Sequence, residues 1–98
     1  SAASPVRTVQ GTVQSLRALS RDVVEVGIAP ESAFPHHPGQ YAQVQFDGFP
    51  ARPFSITHPI SINAASSIVW FHMRRMANGC VTKALGTDIK LGHRVALK

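Results

Sequence analysis

The chain has a single cysteine, Cys80. It therefore carries no internal disulfide framework and no multi-cysteine zinc or iron–sulfur site. Its longest uninterrupted apolar run is four residues, Ile68 to Phe71, far short of the roughly 20 a membrane-crossing helix needs. No signal-peptide core is visible, and the cytoplasm is the expected compartment for a chain with one unpaired thiol. Charge is scarce too, at 15% of residues, where an average globular domain has about 25%. With 44% apolar residues beside it, this low charge excludes a disordered chain. No Gly-x-Gly-x-x-Gly fingerprint occurs, so these residues hold no recognisable dinucleotide-binding Rossmann unit. Internal repeats and low-complexity stretches are also missing. Acidic residues are the rarer sign: five Asp/Glu stand against ten Lys/Arg, for a formal net charge of +5. A basic balance suits an anionic partner without choosing among nucleic acid, an acidic protein and a phosphorylated cofactor.

What remains is one small domain of 98 residues, below the size at which cores divide. Residues 1–5 read as a linker or cloning remnant. The barrel domain is expected over residues 6–98, as a piece of a longer polypeptide because the chain stops on a strand. Most of the pattern has a period of two. Val6 to Leu16 interleaves apolar, small and polar residues as a long half-exposed strand does. Asp22 to Ile28 places Val24, Val26 and Ile28 on one face. Pro30, Pro35 and Pro38 break the next stretch into a loop. Gln40 to Phe46 alternates, with Ala42, Val44 and Phe46 opposed to Tyr41, Gln43 and Gln45. The turn Asp47-Gly48-Phe49-Pro50 leads to a strand at about Arg52 to Thr57; Ile68 to Met73 forms another, and a last strand ends at Leu97. Only Cys80 to Leu85 reads as a helix, with Gly86 placed to end it. Short strands with turn signals at roughly ten-residue spacing predict an antiparallel barrel or sandwich.

Two clusters carry chemistry. The first joins Pro38-Gly39-Gln40-Tyr41 to Arg52-Pro53-Phe54-Ser55. Residues two apart in an extended segment share a face, so Arg52 and Phe54 point one way and Pro53 and Ser55 the other. A guanidinium grips a diphosphate bidentately, and a phenyl ring offers a flat stacking surface. The same residues equally fit a core Phe54 beside a solvated Arg52. The second cluster is Asn78-Gly79-Cys80-Val81-Thr82, where the helix begins. Glycine there lets a ligand approach the backbone, and the first-turn amides lack intrahelical partners. An ordinary helix start with Asn78 as N-cap accounts for these residues as well.

Taken in order, Pro38-Gly39-Gln40-Tyr41, Arg52-Pro53-Phe54-Ser55 and Gly79-Cys80-Val81-Thr82 resemble the FAD-binding domain of the ferredoxin–NADP reductase superfamily. That family shows Pro-Gly-Gln-Tyr/Phe, then Arg-x-Tyr-Ser/Thr, then Gly-x-x-Ser/Thr at a helix start. The resemblance runs over nearly the whole chain. It implies a mainly β fold, a six-stranded antiparallel Greek-key barrel with one short helix. It also implies that FAD is the cofactor, with Arg52 on its pyrophosphate, Phe54 stacked on the isoalloxazine, and Ser55 donating a hydrogen bond near the redox-active ring nitrogen. Gly79, Cys80, Val81 and Thr82 would hold the pyrophosphate from the opposite side. His72, Met73 and Arg74 match a segment that lines the flavin and ribityl chain largely through its backbone. Phe54 departs from the commoner tyrosine, keeping the ring while losing the hydroxyl. The family continues into a Rossmann-like domain, so NAD(P)H is expected to bind a C-terminal NAD(P)-binding domain outside these residues.

The resemblance further implies an NAD(P)H-dependent oxidoreductase that passes electrons through FAD to an iron–sulfur, haem or flavodoxin partner, with no nucleic acid and no membrane span. By itself this chain is not expected to complete turnover. Two alternatives stay open at this point: a basic nucleic-acid-binding barrel stacking bases on Phe54, Tyr41 or Trp70, and a barrel serving as a non-catalytic interaction module. Bland readings suit the other conspicuous residues. His36 and His37 sit in a proline-rich loop while His58, His72 and His93 are scattered, so no metal-ligand spacing emerges. Trp70 and Phe71 fall on opposite faces of one strand, and at least one belongs in the core. Cys80 lacks a supporting base for nucleophilic catalysis. Arg74-Arg75 suits a phosphate or partner contact and a solvated strand edge equally.

Overall fold

The computed structural model describes residues 7–59 and 67–98. The expected linker at residues 1–5 and the expected strand start at Val6 lie outside them. Six strands and one helix follow in order: β1 (Val9–Ala18), β2 (Val23–Pro30), β3 (Tyr41–Phe46), β4 (Arg52–Ser55), β5 (Val69–Arg74), α1 (Cys80–Ala84) and β6 (Arg94–Leu97). The strands form one sheet in the order β4-β3-β6-β1-β2-β5, and every ladder is antiparallel. The pairs β3–β6 and β2–β5 join strands distant in sequence, as Greek-key connections do. The two ends of the sheet meet where Ile56 bridges Phe71 and the Thr57 amide donates to the Trp70 carbonyl at 2.9 Å. The sheet is thereby a nearly closed barrel, as expected from the sequence.

Local chemistry accounts for these elements. Strand β3 buries Ala42, Val44 and Phe46 and exposes Tyr41, Gln43 and Gln45, the alternation of a half-buried strand. Gly48, at φ +87°, supplies the left-handed residue of the turn that carries β3 into β4, a conformation glycine adopts without cost. The pairing register of β1 with β2 shifts between Val13 and Ser15. Such a bulge increases local twist and helps the sheet curl. β1 reaches Ala18, beyond the expected end at Leu16, because Arg17 and Ala18 still pair with Glu25 and Val24. The ladder of β4 stops at Ser55, short of Thr57, where the chain swings toward β5.

The barrel interior holds Ile28, Phe46, Phe71, Met73, Leu85, Ile89 and Leu97, all fully buried. Trp70 and Phe71 divide as their neighbouring positions require: Phe71 is core, and Trp70 lies over Gly27 on the outer face. Helix α1 caps the barrel by burying Val81, Thr82 and Ala84. Its N-cap is Gly79, with no side-chain cap, so Asn78 does not cap it. Gly86, at φ +88°, follows the C-cap Leu85 and ends the helix. Among the described residues no helix is long and apolar enough to cross a membrane.

Candidate functional site

Arg52 and Phe54 stand directly across from Val44 and Ala42, both buried. Cross-strand partners share a face, so Arg52 and Phe54 project from the core side of edge strand β4. Pro53 and Ser55 pair with the outward Gln43 and Tyr41. Phe54 is half-buried, and its ring meets Phe71 edge-on, with centroids 6.4 Å apart and planes at 71°. One ring thus serves both readings of the sequence, packing on the core while reaching the surface.

That surface is a cleft of about 170 Å³. It is lined by Arg52, Pro53 and Phe54 of β4, by Gly79, Cys80, Val81 and Thr82 at the start of α1, and by Arg74 and Met76. Arg52-Pro53-Phe54 of the first cluster and Gly79 to Thr82 of the second therefore line one hollow, while Pro38 to Tyr41 and Asn78 do not. No carboxylate lines it. Arg52 donates from Nη1 to its neighbour's Ala51 carbonyl at 3.1 Å, and neither Arg52 nor Arg74 pairs with a carboxylate among the described residues. Two exposed guanidiniums beside a phenyl ring and the backbone of a helix start form a donor set for a phosphorylated aromatic molecule. The volume suits one part of such a molecule, since sites that engulf a drug-sized ligand measure about 300–1,000 Å³. A larger hollow of about 330 Å³, between Gln10, Gln45 and Arg94 on the outer barrel face, shares none of these residues.

The back of the cleft is tightly built. The Met76 amide donates to Thr82 Oγ1 at 3.1 Å, and the Gly79 amide donates to the Met76 carbonyl at 3.0 Å. A Cβ on Gly79 would sit 2.7 Å from Thr82 Oγ1 and 3.2 Å from the Met76 Cβ. Glycine here lets the Thr82 hydroxyl and the Met76 side chain close up against the backbone. Thr82 is buried and anchors the loop from inside, its hydroxyl still able to donate onward.

Three of the residues singled out from the sequence lie elsewhere. Ser55 is exposed on the outward face of β4. Met73 is fully buried in the core. The His72 ring stands 3.3 Å from the carboxylate of Glu25, its buried cross-strand partner. Cys80 is an exposed free thiol at the cleft edge. Arg75 is not a solvated strand edge: it is half-buried, and its guanidinium donates to the carbonyls of Thr82 and Leu85 at 3.1 and 3.2 Å. Met76, which sequence reading passed over, enters the cleft because the loop after β5 folds back on α1, a contact no local pattern signals.

This architecture is shared with solved ferredoxin reductases. The ferredoxin reductase in carbazole 1,9a-dioxygenase superimposes with a TM-score of 0.79 at 21% identity, over 98% of this chain and 29% of that one. Its FAD apo form gives 0.72 at 23% identity, over 97% and 29% respectively. In sequence, the chain is 31% identical over 93 residues to the ferredoxin–NAD(P)(+) reductase component of the naphthalene 1,2-dioxygenase system of Pseudomonas putida. No family model matches. The chain has the antiparallel barrel fold of these solved reductases and is similar in sequence to the Pseudomonas component. It spans 27% of the length of the curated Pseudomonas relative, while that match takes in 95% of the present chain.

Proposed function

We propose that this chain is the FAD-binding domain of an NAD(P)H-dependent reductase that passes electrons through FAD to a ferredoxin. An iron–sulfur, haem or flavodoxin partner belongs to the same range of one-electron acceptors. The observation that carries the reading is one cleft lined by both Arg52 and Gly79–Thr82. A dinucleotide's diphosphate fits between them, gripped by the Arg52 fork, with Arg74 adding a second positive charge. Phe54 offers its exposed ring to the isoalloxazine, and having no hydroxyl it contributes stacking alone. His72 and Met73 contribute through backbone groups, their side chains being engaged with Glu25 and the core. Ser55 is assigned the hydrogen bond to the flavin ring nitrogen, from the outward side of β4. Bound FAD supplies hydride acceptance from a nicotinamide and delivery of single electrons, while the protein supplies position and electrostatics. The nicotinamide belongs to a separate C-terminal NAD(P)-binding domain of a longer chain.

Magnitudes show which contacts matter. A hydrogen bond to a charged group contributes about 1.5–3 kcal/mol, and aromatic stacking about 0.5–1.5 kcal/mol beyond burial. Micromolar affinity needs about 8 kcal/mol, so both arginines and Phe54 must engage together and the backbone of the helix start must add to them. Calorimetric titration of the chain with FAD tests the reading. Arg52→Ala is expected to weaken binding at least about tenfold, the loss of one charge-assisted hydrogen bond. Unchanged affinity would remove Arg52 from the site. A colourless chain that instead binds oligonucleotides in a salt-sensitive manner would replace the reading with the nucleic-acid one.

A further inference from the structure

We propose that Arg75 is a positioning residue: it sets the spacing between the helix wall of the cleft and the β4 wall. This rests on the reading of the cleft as an FAD site. Helix α1 has only five residues, and helices below about 12 residues do not hold themselves together. Its place is therefore fixed from outside. Burial of Val81, Ala84 and Leu85 presses it onto the barrel, but apolar contact is non-directional and does not fix its rotation or its slide along the surface.

Arg75 supplies the directional tie. Its amide donates to the Asp22 carbonyl at 2.6 Å, which fastens the residue to the start of β2. From that anchor the planar guanidinium reaches both the Thr82 and the Leu85 carbonyls, spanning the far end of the helix. Carbonyls in the last turn have no intrahelical donors, so a fixed fork of donors is the complement they lack. The next residue, Met76, continues the tie through its amide to Thr82 Oγ1 at 3.1 Å. Thr82 thus receives Arg75 on its carbonyl and Met76 on its hydroxyl, while Gly79 to Thr82 forms the cleft wall. Arg75 itself does not line the cleft. It acts through the segment that does. Lysine keeps the charge but presents its donors from one nitrogen instead of the two used here, so it restores only part of the tie.

The test compares Arg75→Gln and Arg75→Lys with the wild-type 98-residue chain in two measurements. Hydrogen exchange of the Cys80–Leu85 amides reads the helix tie without any ligand. Affinities for FAD and for riboflavin, which shares the ring and lacks the diphosphate, read its effect on the cleft. Arg75→Gln is expected to speed exchange in α1 and to weaken FAD about tenfold, a loss on the scale of one charge-assisted hydrogen bond, with riboflavin affinity unchanged and Arg75→Lys in between. Unchanged exchange overturns the tie. Equal losses of FAD and riboflavin overturn the positioning role, because Arg75 would then support the barrel as a whole. If Arg75→Gln does not fold, the FAD-to-riboflavin ratio of Arg75→Lys decides in the same way. A wild-type chain that binds no FAD, with exchange in α1 still sped by Arg75→Gln, overturns the FAD reading and the cofactor half of the proposal, while the tie itself stands.

Discussion

Gly79 has φ −89° and ψ 105°, ordinary extended backbone that any residue adopts. Alanine is excluded there by space alone, through the 2.7 Å approach to Thr82 Oγ1. The hydroxyl cannot simply rotate away, because the Met76 amide holds it. Gly79→Ala is therefore expected to cost about 1–3 kcal/mol, the usual price of overpacking. Thr82→Ala alone should cost about 1 kcal/mol for the lost hydrogen bond. Combined, the two changes relieve the clash, so the double variant should be about 1 kcal/mol more stable than additivity allows. Urea unfolding of the four proteins measures that coupling, and strict additivity would show that the loop relaxes instead. The sequence made Gly79 visible as a motif residue. It did not show the reason for the glycine, which is a side chain approaching from inside the same turn.

At the scale of elements, the thin place in the barrel is the seam between β4 and β5. β4 is four residues long and among the described residues its only full ladder is to β3; the described contacts that close the barrel are the Ile56–Phe71 bridge, the Thr57–Trp70 hydrogen bond and the Phe54–Phe71 ring contact. Phe71 is wholly buried and Phe54 only half so. Phe71→Ala is expected to cost about 3–5 kcal/mol, a large part of the roughly 5–15 kcal/mol that holds a domain folded. Phe54→Ala should cost less, since part of its ring stays in contact with water, yet reduce riboflavin affinity more. Denaturation midpoints and flavin titrations of both variants separate the two roles, and equal stability losses would contradict them. Strand alternation made β3 legible residue by residue. In β2 it identified the inward Val24, Val26 and Ile28 but missed the burial of Glu25 and Gly27 behind them. Their covers, His72 and Trp70, come from β5, and no local pattern announces a partner 47 positions away.

For the whole molecule, the decisive fact is where the few charges fall. All five carboxylates lie away from the cleft, whereas Arg52 and Arg74 line it. Net charge was readable from composition; the meeting of Arg52 and Arg74 at one hollow was not, because Arg74 sits on β5, set in place by its pairing with β2. Motifs far apart in sequence meet because the fold brings Arg52 and Gly79–Thr82 to one hollow. The same 98 residues contain no second phosphate-binding fingerprint, and the cleft of about 170 Å³ has no room for a nicotinamide beside a flavin nucleotide. Cofactor loading and hydride delivery should therefore separate cleanly in this chain. With FAD bound, added NADPH is expected to bleach the visible flavin absorbance no faster than it bleaches free FAD, whereas dithionite, which needs no binding site, bleaches it at once. Stopped-flow absorbance distinguishes the two. Rapid, saturable bleaching by NADPH would mean that a nicotinamide site exists within the barrel, and the division of labour between this domain and a further one would have to be redrawn.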